Sequence, residues 1–471
     1  MNRKLQIKSV PNTWLENGGR RLDCGPYMSG AIEATELLKR METENLSTLT
    51  KGYNGGIYNG PQFVRNYVED PTYGVPFLTT STMLQADMRN LPMISAKDAH
   101  SSKLSYLKVE EGMSLITCSG SIGRMSYARK DMADCWSNQD IMKVVPDPHK
   151  ILSGYLYAFL SSRFGVPIVV SGTYGAIIQH IEPHHIADLP VPRLGEIIEQ
   201  KAHDLVERSA TLLDKYQARL NEATELYFDS VGLKDITSSE WHSWGSDLGF
   251  AVTAGVQSLR ALNFNPRFQR ICELIKQGPW KPLGELCESG TLETGPRFKR
   301  IDADPEYGFQ LIGQKQIFWL RPEGRWIAKK FTPKRVMVPC GTTLVAAHGT
   351  LSDSELYCRA EYITGSTVER AYSQDFLRVI GNENIIQRGA LYAFLRSETA
   401  FRMFRSASTG SKLQEFHYEI TPMLPIPFPP KDIRQRCHLL VEEAYIARER
   451  AIQHEDAARL LVENSIEEGS Y

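Results

Sequence analysis

What this sequence lacks already narrows its function. Its eight cysteines (24, 118, 135, 272, 287, 340, 358 and 437) are scattered over 471 residues, and no two form a C-x-x-C pair. That spacing argues against both a zinc ribbon and a disulfide scaffold, and a reducing cytoplasm is the expected home. No apolar run is long enough to cross a bilayer, and Met1-Asn2-Arg3-Lys4 opens no signal peptide, so no membrane partner is expected. Neither sign of charge is in excess, since the net charge is −1. Any nucleic-acid contact therefore has to come from local patches. No low-complexity linker divides the chain.

The signatures of catalysis are missing too. Ser119-Gly120-Ser121-Ile122-Gly123 has neither the lysine nor the spacing of a phosphate-binding loop. Asn265-Pro266-Arg267-Phe268 superficially resembles the N-P-P-[YF] loop of amino-methyltransferases. The second proline is absent, however, and no glycine-rich cofactor loop precedes it on a strand. His180, His184 and His185 lie close together, yet no Cys or acidic set completes a metal site, so they read as solvated loop histidines. No nuclease-like cluster of carboxylates and lysine stands out. We expect no catalytic residue, no metal and no cofactor bound by this chain.

What is present is a globular chain, 42% hydrophobic and 23% charged, long enough for two or three domains. At its midpoint, Gly195 to Phe228 reads as one long helix. Ile198, Ala202, Leu205, Ser209, Leu212, Tyr216, Arg219, Ala223 and Leu226 follow each other at steps of four and three, the a/d seam of a coiled coil. Such a narrow, partly polar seam must pair with another helix. The same seam recurs in the second half at a constant offset, at Ile433, Cys437, Leu440, Ala444, Ala447, Ala451, His454, Ala458 and Leu461. At that offset Gly154-Tyr155-Leu156-Tyr157-Ala158-Phe159-Leu160 also meets Gly389-Ala390-Leu391-Tyr392-Ala393-Phe394-Leu395. Gln139-Asp140 meets Gln374-Asp375, Leu189-Pro190-Val191-Pro192 meets Leu424-Pro425-Ile426-Pro427, and His203 meets His438. The half-chain is duplicated.

Taken in order, a helix is expected at Tyr27–Met41, then an exposed loop from Leu46 to Tyr73, rich in Gly, Asn, Thr and Tyr (KGYNGGIYNG). β-like runs follow at 75–80, 114–118, 125–128 and 141–145, then a helix around 154–164, a glycine turn at 171–175 and prolines that stop the domain before the long helix. The boundaries expected are 1–194 for the first domain, 195–232 for the central helix, 233–429 for the second domain, 430–465 for the second long helix and 466–471 for an acidic tail. Between Arg297 and Arg335 ten basic residues outnumber the acidic ones, and Phe298, Phe318, Trp319, Trp326 and Phe331 lie among them. Two readings stand side by side: a phosphate-binding surface, or a solvated basic face with its aromatics in the core.

Together these pieces resemble the specificity subunit of type I restriction–modification systems. The resemblance rests on Arg21-Leu22-Asp23 with Pro26-Tyr27, on Leu115 to Gly123, and on Ser137-Asn138-Gln139. It rests also on Ser171-Gly172-Thr173-Tyr174-Gly175 with Gln179-His180-Ile181, and on Leu189-Pro190-Val191-Pro192 before the helix. His348-Gly349-Thr350-Leu351-Ser352 departs from the pattern by lacking the closing glycine of the turn. The resemblance implies an α+β fold with a pseudo-two-fold internal repeat. Two tandem mixed α/β target-recognition domains are separated and followed by long helices forming an antiparallel coiled coil. It implies a non-catalytic subunit whose partners are double-stranded DNA, two adenine methyltransferase (modification) subunits that bind S-adenosylmethionine, and, where the system has one, a restriction/translocase subunit. The alternatives are a specificity protein of another methylation-linked phage-defence system and a standalone DNA-modifying enzyme.

On this reading Ser119, Ser121, Arg124 and Gln139, with Thr173, Tyr174 and Gln179, face DNA in the first domain. His348, Thr350 and Gln374, with Ser408, Thr409 and Lys412, do so in the second. Arg325, Lys329, Lys330, Lys334 and Arg335 supply phosphate contacts, and Ile198, Leu205, Leu212, Leu226, Ile433, Leu440 and Leu461 form the helical seam.

Overall fold

Short β-branched and aromatic runs punctuated by Gly and Pro make short strands here. A computed structural model describes residues 7–17, 20, 24–171, 180–245, 250–251, 258–353 and 355–469. Arg21-Leu22-Asp23, Thr173, Tyr174 and Gln179 lie outside the described residues. The chain divides into two units, 1–68 with 72–214 and 450–471, and 69–71 with 215–449. Among the described residues no helix is long and apolar enough to cross a membrane.

In the first unit a four-stranded antiparallel sheet has the order Ile57–Tyr58, Ile141–Val144, Ser114–Thr117, Met125–Tyr127. In the second unit the order Glu293–Thr294, Phe376–Val379, Thr342–Ala346, Ala360–Ile363 is the same and again antiparallel. The register agrees as well. Lys143 stands between Tyr58 and Leu115, while Arg378, its counterpart at the offset of the repeat, stands between Glu293 and Leu344. A second small sheet in each unit contains a parallel pair, Gly74–Leu78 with Trp136–Ser137 and Gly308–Ile312 with Ala371–Tyr372. The stretch expected to be an exposed loop, Leu46 to Tyr73, contributes two short strands, Ile57–Tyr58 and Tyr67–Val68, and Leu46, Leu49, Ile57 and Tyr58 are buried. Its apolar pairs are too short for alternation to reveal them among so many Gly, Asn and Tyr.

Two long helices follow the proline strands: Glu196–Asp229 and Lys431–Gly469. At the first, two guanidinium nitrogens of Arg193 meet Glu199 (3.0 and 2.9 Å), which also accepts the Leu194 N–H at 3.1 Å, fixing the turn into the helix. Burial divides the residues of the expected seam. Ala202, Ser209, Tyr216 and Ala223 are buried, but Ile198, Leu205, Leu212 and Leu226 are only half-buried, and their neighbours Glu199, Val206, Leu213, Leu220 and Tyr227 are buried instead. On the second helix Leu440 is buried while Ile433 and Leu461 are half-buried, with Val462 taking the buried place. A seam drawn for one helical partner is too narrow, because each helix also covers a short domain helix, Ser153–Leu160 or Arg388–Leu395. In the first unit Ala202, Val206 and Ala210 share a core with Tyr155–Leu160, Ala458, Val462 and Ile466. In the second, Tyr216 meets Tyr445 edge-on at 5.5 Å, Arg219 reaches Glu443 at 3.2 Å and Arg436 reaches Glu222 at 3.6 Å. The second helix also runs past the expected end at 465, since Ile466 is fully buried and Glu467 pairs with Arg163.

Several polar clamps recur at the offset of the repeat. The Gly154 N–H donates to His203 Nδ1 (3.1 Å), and the Gly389 N–H to His438 Nδ1 (3.3 Å). Tyr127 donates to Glu207, and Tyr362 to Glu442. One clamp changes hands. The Pro192 carbonyl accepts from Tyr155 on the short helix, whereas the Pro427 carbonyl accepts from Tyr227 on the long helix at 2.6 Å. The residues at the vacated places are Ala390 and Val462, so each unit places one tyrosine and one small side chain.

The glycine at each clamp permits a close helix crossing. A Cβ on Gly154 would lie 2.9 Å from His203 Nδ1, 2.9 Å from the His203 carbonyl oxygen and 3.0 Å from its Cα. Gly154→Ala should therefore destabilise by about 1–3 kcal/mol, against the modest gain alanine ordinarily brings to a helix. His203→Ala should not rescue it, because two of the three close atoms are backbone. Urea unfolding of the single and double variants checks this; an unimpaired Gly154→Ala would show that the crossing relaxes freely.

Candidate nucleic-acid interface

In the first unit the strand Ser114–Thr117 ends in a turn built around Thr117. Its Oγ1 donates to the Ser121 carbonyl (2.5 Å) and accepts the Arg124 N–H (3.0 Å). Gly120 and Gly123 take φ of +72° and +78°, and a Cβ on Gly123 would collide with Val170. The turn leaves Ser121 exposed and Ser119 and Arg124 half-exposed. The Cys118 N–H donates to the Asp140 carbonyl (2.8 Å), which holds the turn against Gln139-Asp140. Ser119, Ser121, Arg124 and Gln139 are thus brought together. Gln139 Oε1 accepts from Arg65 at 3.1 Å, a residue the sequence reading missed.

The second unit makes the same backbone bond, from the Ala347 N–H to the Asp375 carbonyl (2.9 Å). The turn beyond it is built differently. Gln314 brackets His348 by accepting its N–H (3.1 Å) and donating to its carbonyl (2.6 Å). The imidazole lies between Asp375 (Nδ1, 3.4 Å) and Glu415 (Nε2, 3.4 Å). Gly349 pairs with Gln414, whose N–H donates to its carbonyl at 2.9 Å. Thr350, Thr409 and Lys412 are exposed, and Gln374 is half-buried. Ser408 does not fit the expectation: it is fully buried, its hydroxyl donates to Gln414 (3.2 Å), and its carbonyl accepts from Asn263 (2.9 Å). Ser408–Thr409 is a strand pairing with Glu415–Phe416, so adjacent side chains take opposite faces and only Thr409 reaches the surface. Gln314 and Glu415 carried no signal in the sequence. The duplicated Gln-Asp dipeptide marks where to look, but its partners come from segments that differ between the units.

The basic stretch lies on a different sheet, on and after the strand Arg325–Ala328 that pairs with Gly308–Ile312. Acidic groups take two of its five named cations: Arg325 meets Asp302 at 2.5 Å and Arg335 meets Glu293 at 2.8 Å. Lys329 donates to the Glu306 carbonyl at 3.4 Å. Lys330 and Lys334 are exposed and have no acidic partner among the described residues. The aromatics split in the same way. Trp319 is buried, and Phe298 and Phe318 pack on core clusters, but Phe331 is 57% exposed and Trp326 37%. Part of this stretch is core and part is a cationic surface with rings on it.

Two other motifs resolve into structure. Asn265 caps the helix Pro266–Lys276, its side chain accepting the Arg267 N–H at 2.8 Å with Pro266 in the first turn. Among the described residues one group with metal-ligand chemistry, Glu69, His242 and Asp353, gathers within 4.8 Å. Arg402 grips both Asp353 oxygens at 2.7 Å. Burial opposes the charge of Asp353, yet Arg402 and His242 hold the carboxyl well below the usual range. A cation there would have to displace a guanidinium, so the group is an ion-pair cluster. Burial pushes the thiols of Cys118, Cys135, Cys272, Cys287 and Cys437 up to about 12, which keeps them protonated and unreactive.

No protein-family model matches the chain. No curated protein matches it either. Solved structures do. One is the type I restriction-modification system S subunit from M. genitalium, at 12% identity, with 90% of this chain and 94% of that chain covered and a TM-score of 0.36. Another is the HsdS subunit from Thermoanaerobacter tengcongensis, at 10% identity, 91% and 96% coverage and a TM-score of 0.28. A third belongs to a study of complex assembly and conformational transition of the type I R-M system, at 11% identity, 90% and 97% coverage and a TM-score of 0.26.

Proposed function

We propose that this chain is the DNA sequence-specificity subunit of a type I-like restriction–modification complex. Each unit carries one target-recognition domain that reads one half of a bipartite site. The two long helices pair as an antiparallel coiled coil and recruit two adenine methyltransferase subunits. In this reading the chain does no chemistry itself, and S-adenosylmethionine is bound by the partners. One observation carries the proposal: the same strand order, strand pairing and histidine–glycine clamp occur in both halves, while the turns they present differ. A repeated scaffold with unequal loops suits two similar approaches to a duplex that read different sequences.

Selection of duplexes from a random pool by the purified chain tests this. The expected product is two short specific blocks separated by unread base pairs; one continuous block, or no enrichment, would refute it. The phosphate contacts have their own signature. Lys330→Ala and Lys334→Ala should each lower the slope of log affinity against log salt by about 0.9, without altering the selected blocks. Arg325→Ala and Arg335→Ala should change it less, because those cations are already paired. Slopes unchanged at both lysines would mark the patch as a solvated face.

A further inference from the structure

The dipeptide Gln139-Asp140 and its counterpart Gln374-Asp375 occupy the same place in the two units. Each follows the parallel-paired strand and precedes a central strand of the four-stranded sheet. What each dipeptide faces is different. In the first unit the segment 61–68 runs over the surface with alternating exposure, so that Gln62, Val64 and Asn66 are exposed while Phe63 and Arg65 turn inward. The Arg65 guanidinium donates from Nη2 to Gln139 Oε1 at 3.1 Å and stands 3.9 Å from Asp140. Its carbon lies 5.9 Å from the centre of the Phe77 ring, and 31% of the side chain remains exposed. The arginine is therefore oriented by an amide, a carboxylate and a ring. Only one of its five N–H groups is committed to a short bond, beside the turn that carries Ser119 and Ser121.

In the second unit the equivalent carboxylate, Asp375, faces His348, whose other ring nitrogen faces Glu415. Among the described residues no arginine is paired with Gln374 or Asp375. The first cradle presents a planar fork of donors, and the second presents acceptors around an imidazole.

We propose that Arg65 is a specificity-determining residue that reads a guanine, through its O6 and N7, in the half-site taken by the first unit, with Gln139 and Asp140 as its positioning residues. This rests on the DNA-reading function proposed above. A pre-oriented guanidinium matches the two acceptors on the guanine edge, whereas adenine offers a donor at one of the two places. A lysine would bring the charge without the fork.

The test compares duplexes selected from a random pool by the full-length wild-type chain, R65A and R65K. Wild type should select two blocks, one containing an invariant guanine that R65A no longer requires. Affinity for the guanine-containing site should fall about tenfold to a hundredfold, and the other block should be unchanged. R65K should not restore the preference. If the variants fail to fold, the wild-type chain supplies the answer: replacing that guanine by 7-deazaguanine removes the N7 acceptor and should weaken binding at that position alone. A wild type that selects two blocks but tolerates 7-deazaguanine at every guanine overturns the inference. So does an R65A that loses affinity for all sequences equally, since Arg65 would then be a phosphate contact. A wild type that selects nothing overturns the proposed function itself, and the outcomes are distinct.

Discussion

Replacing Glu361 by serine should destabilise the second unit by about 3–5 kcal/mol, and adding Arg448→Leu should recover most of that loss. Glu361 and Arg448 are almost completely buried, and Arg448 Nη1 meets Glu361 Oε1 at 2.7 Å. The other nitrogen of the guanidinium, Nη2, donates to the Trp319 carbonyl at 2.8 Å, and Tyr445 donates to Glu361 at 2.9 Å. Burial opposes the charge on Arg448, yet Glu361 and the Tyr216 and Tyr445 phenols raise its pKa above the ordinary arginine value. Because a guanidinium does not lose its proton in proteins even without that partner, Glu361→Ser leaves an uncompensated cation in the core.

The first unit shows the alternative. At the matching positions of the first half stand Ser126 and Leu213, the latter buried at 2% exposure. The double variant transplants that solution, and replacing a buried ion pair by apolar packing is often close to neutral. Recovery should fall short of complete because the Trp319 carbonyl loses its donor, at a cost of about 1–3 kcal/mol. Urea midpoints of the single and double variants decide the matter. A double variant no more stable than Glu361→Ser would mean that the two units are not interchangeable here.

The offset that makes this transplant conceivable is legible in the sequence, since Gly154 to Leu160 and Gly389 to Leu395 can be aligned by eye. The strands at 114–117, 125–127 and 141–144 were also within reach of β-propensity, because each is flanked by turn residues. The phase of the long helices was not. Leu205, Leu212 and Leu226 draw the seam to themselves, yet Val206, Leu213 and Tyr227 are the residues covered, because the short domain helices widen the buried face. The candidate interface was legible as positions and not as partners. The duplicated turns and Gln-Asp dipeptides point to Gln139 and His348, but Arg65, Gln314 and Glu415 lie on segments whose residues differ between the halves: His180, for one, stands where the second half has Glu415. Ser408 misleads because a glycine turn in sequence is here half a strand, and a strand buries every second side chain.

Lys143 gives a prediction of similar size and opposite sign. It lies on the strand Ile141–Val144 between Tyr58 and Leu115, and its side chain is fully buried. Alternation places it on the face of Ile141 and Leu115, which belong to an apolar cluster with Met113, Ala128 and Met132. Among the described residues the amine finds only the Ile141 carbonyl at 3.3 Å and the Tyr58 ring at 5.6 Å. Burial lowers its pKa from 10.5 to about 7. Between those two values the unfolded chain binds more protons than the folded one, so stability rises with pH across that window, and the whole penalty is present below pH 7. That penalty is on the order of 5 kcal/mol. Lys143→Met keeps the length of the side chain and removes the amine. It should stabilise the first unit by a few kcal/mol at pH 6, with the gain shrinking steadily and nearly gone by about pH 10. Urea unfolding of the variant and wild type at pH 6, 8 and 10 measures the difference. A methionine variant less stable than wild type at pH 6, or a gain independent of pH, would show that the ammonium is solvated by partners stronger than one carbonyl and one ring.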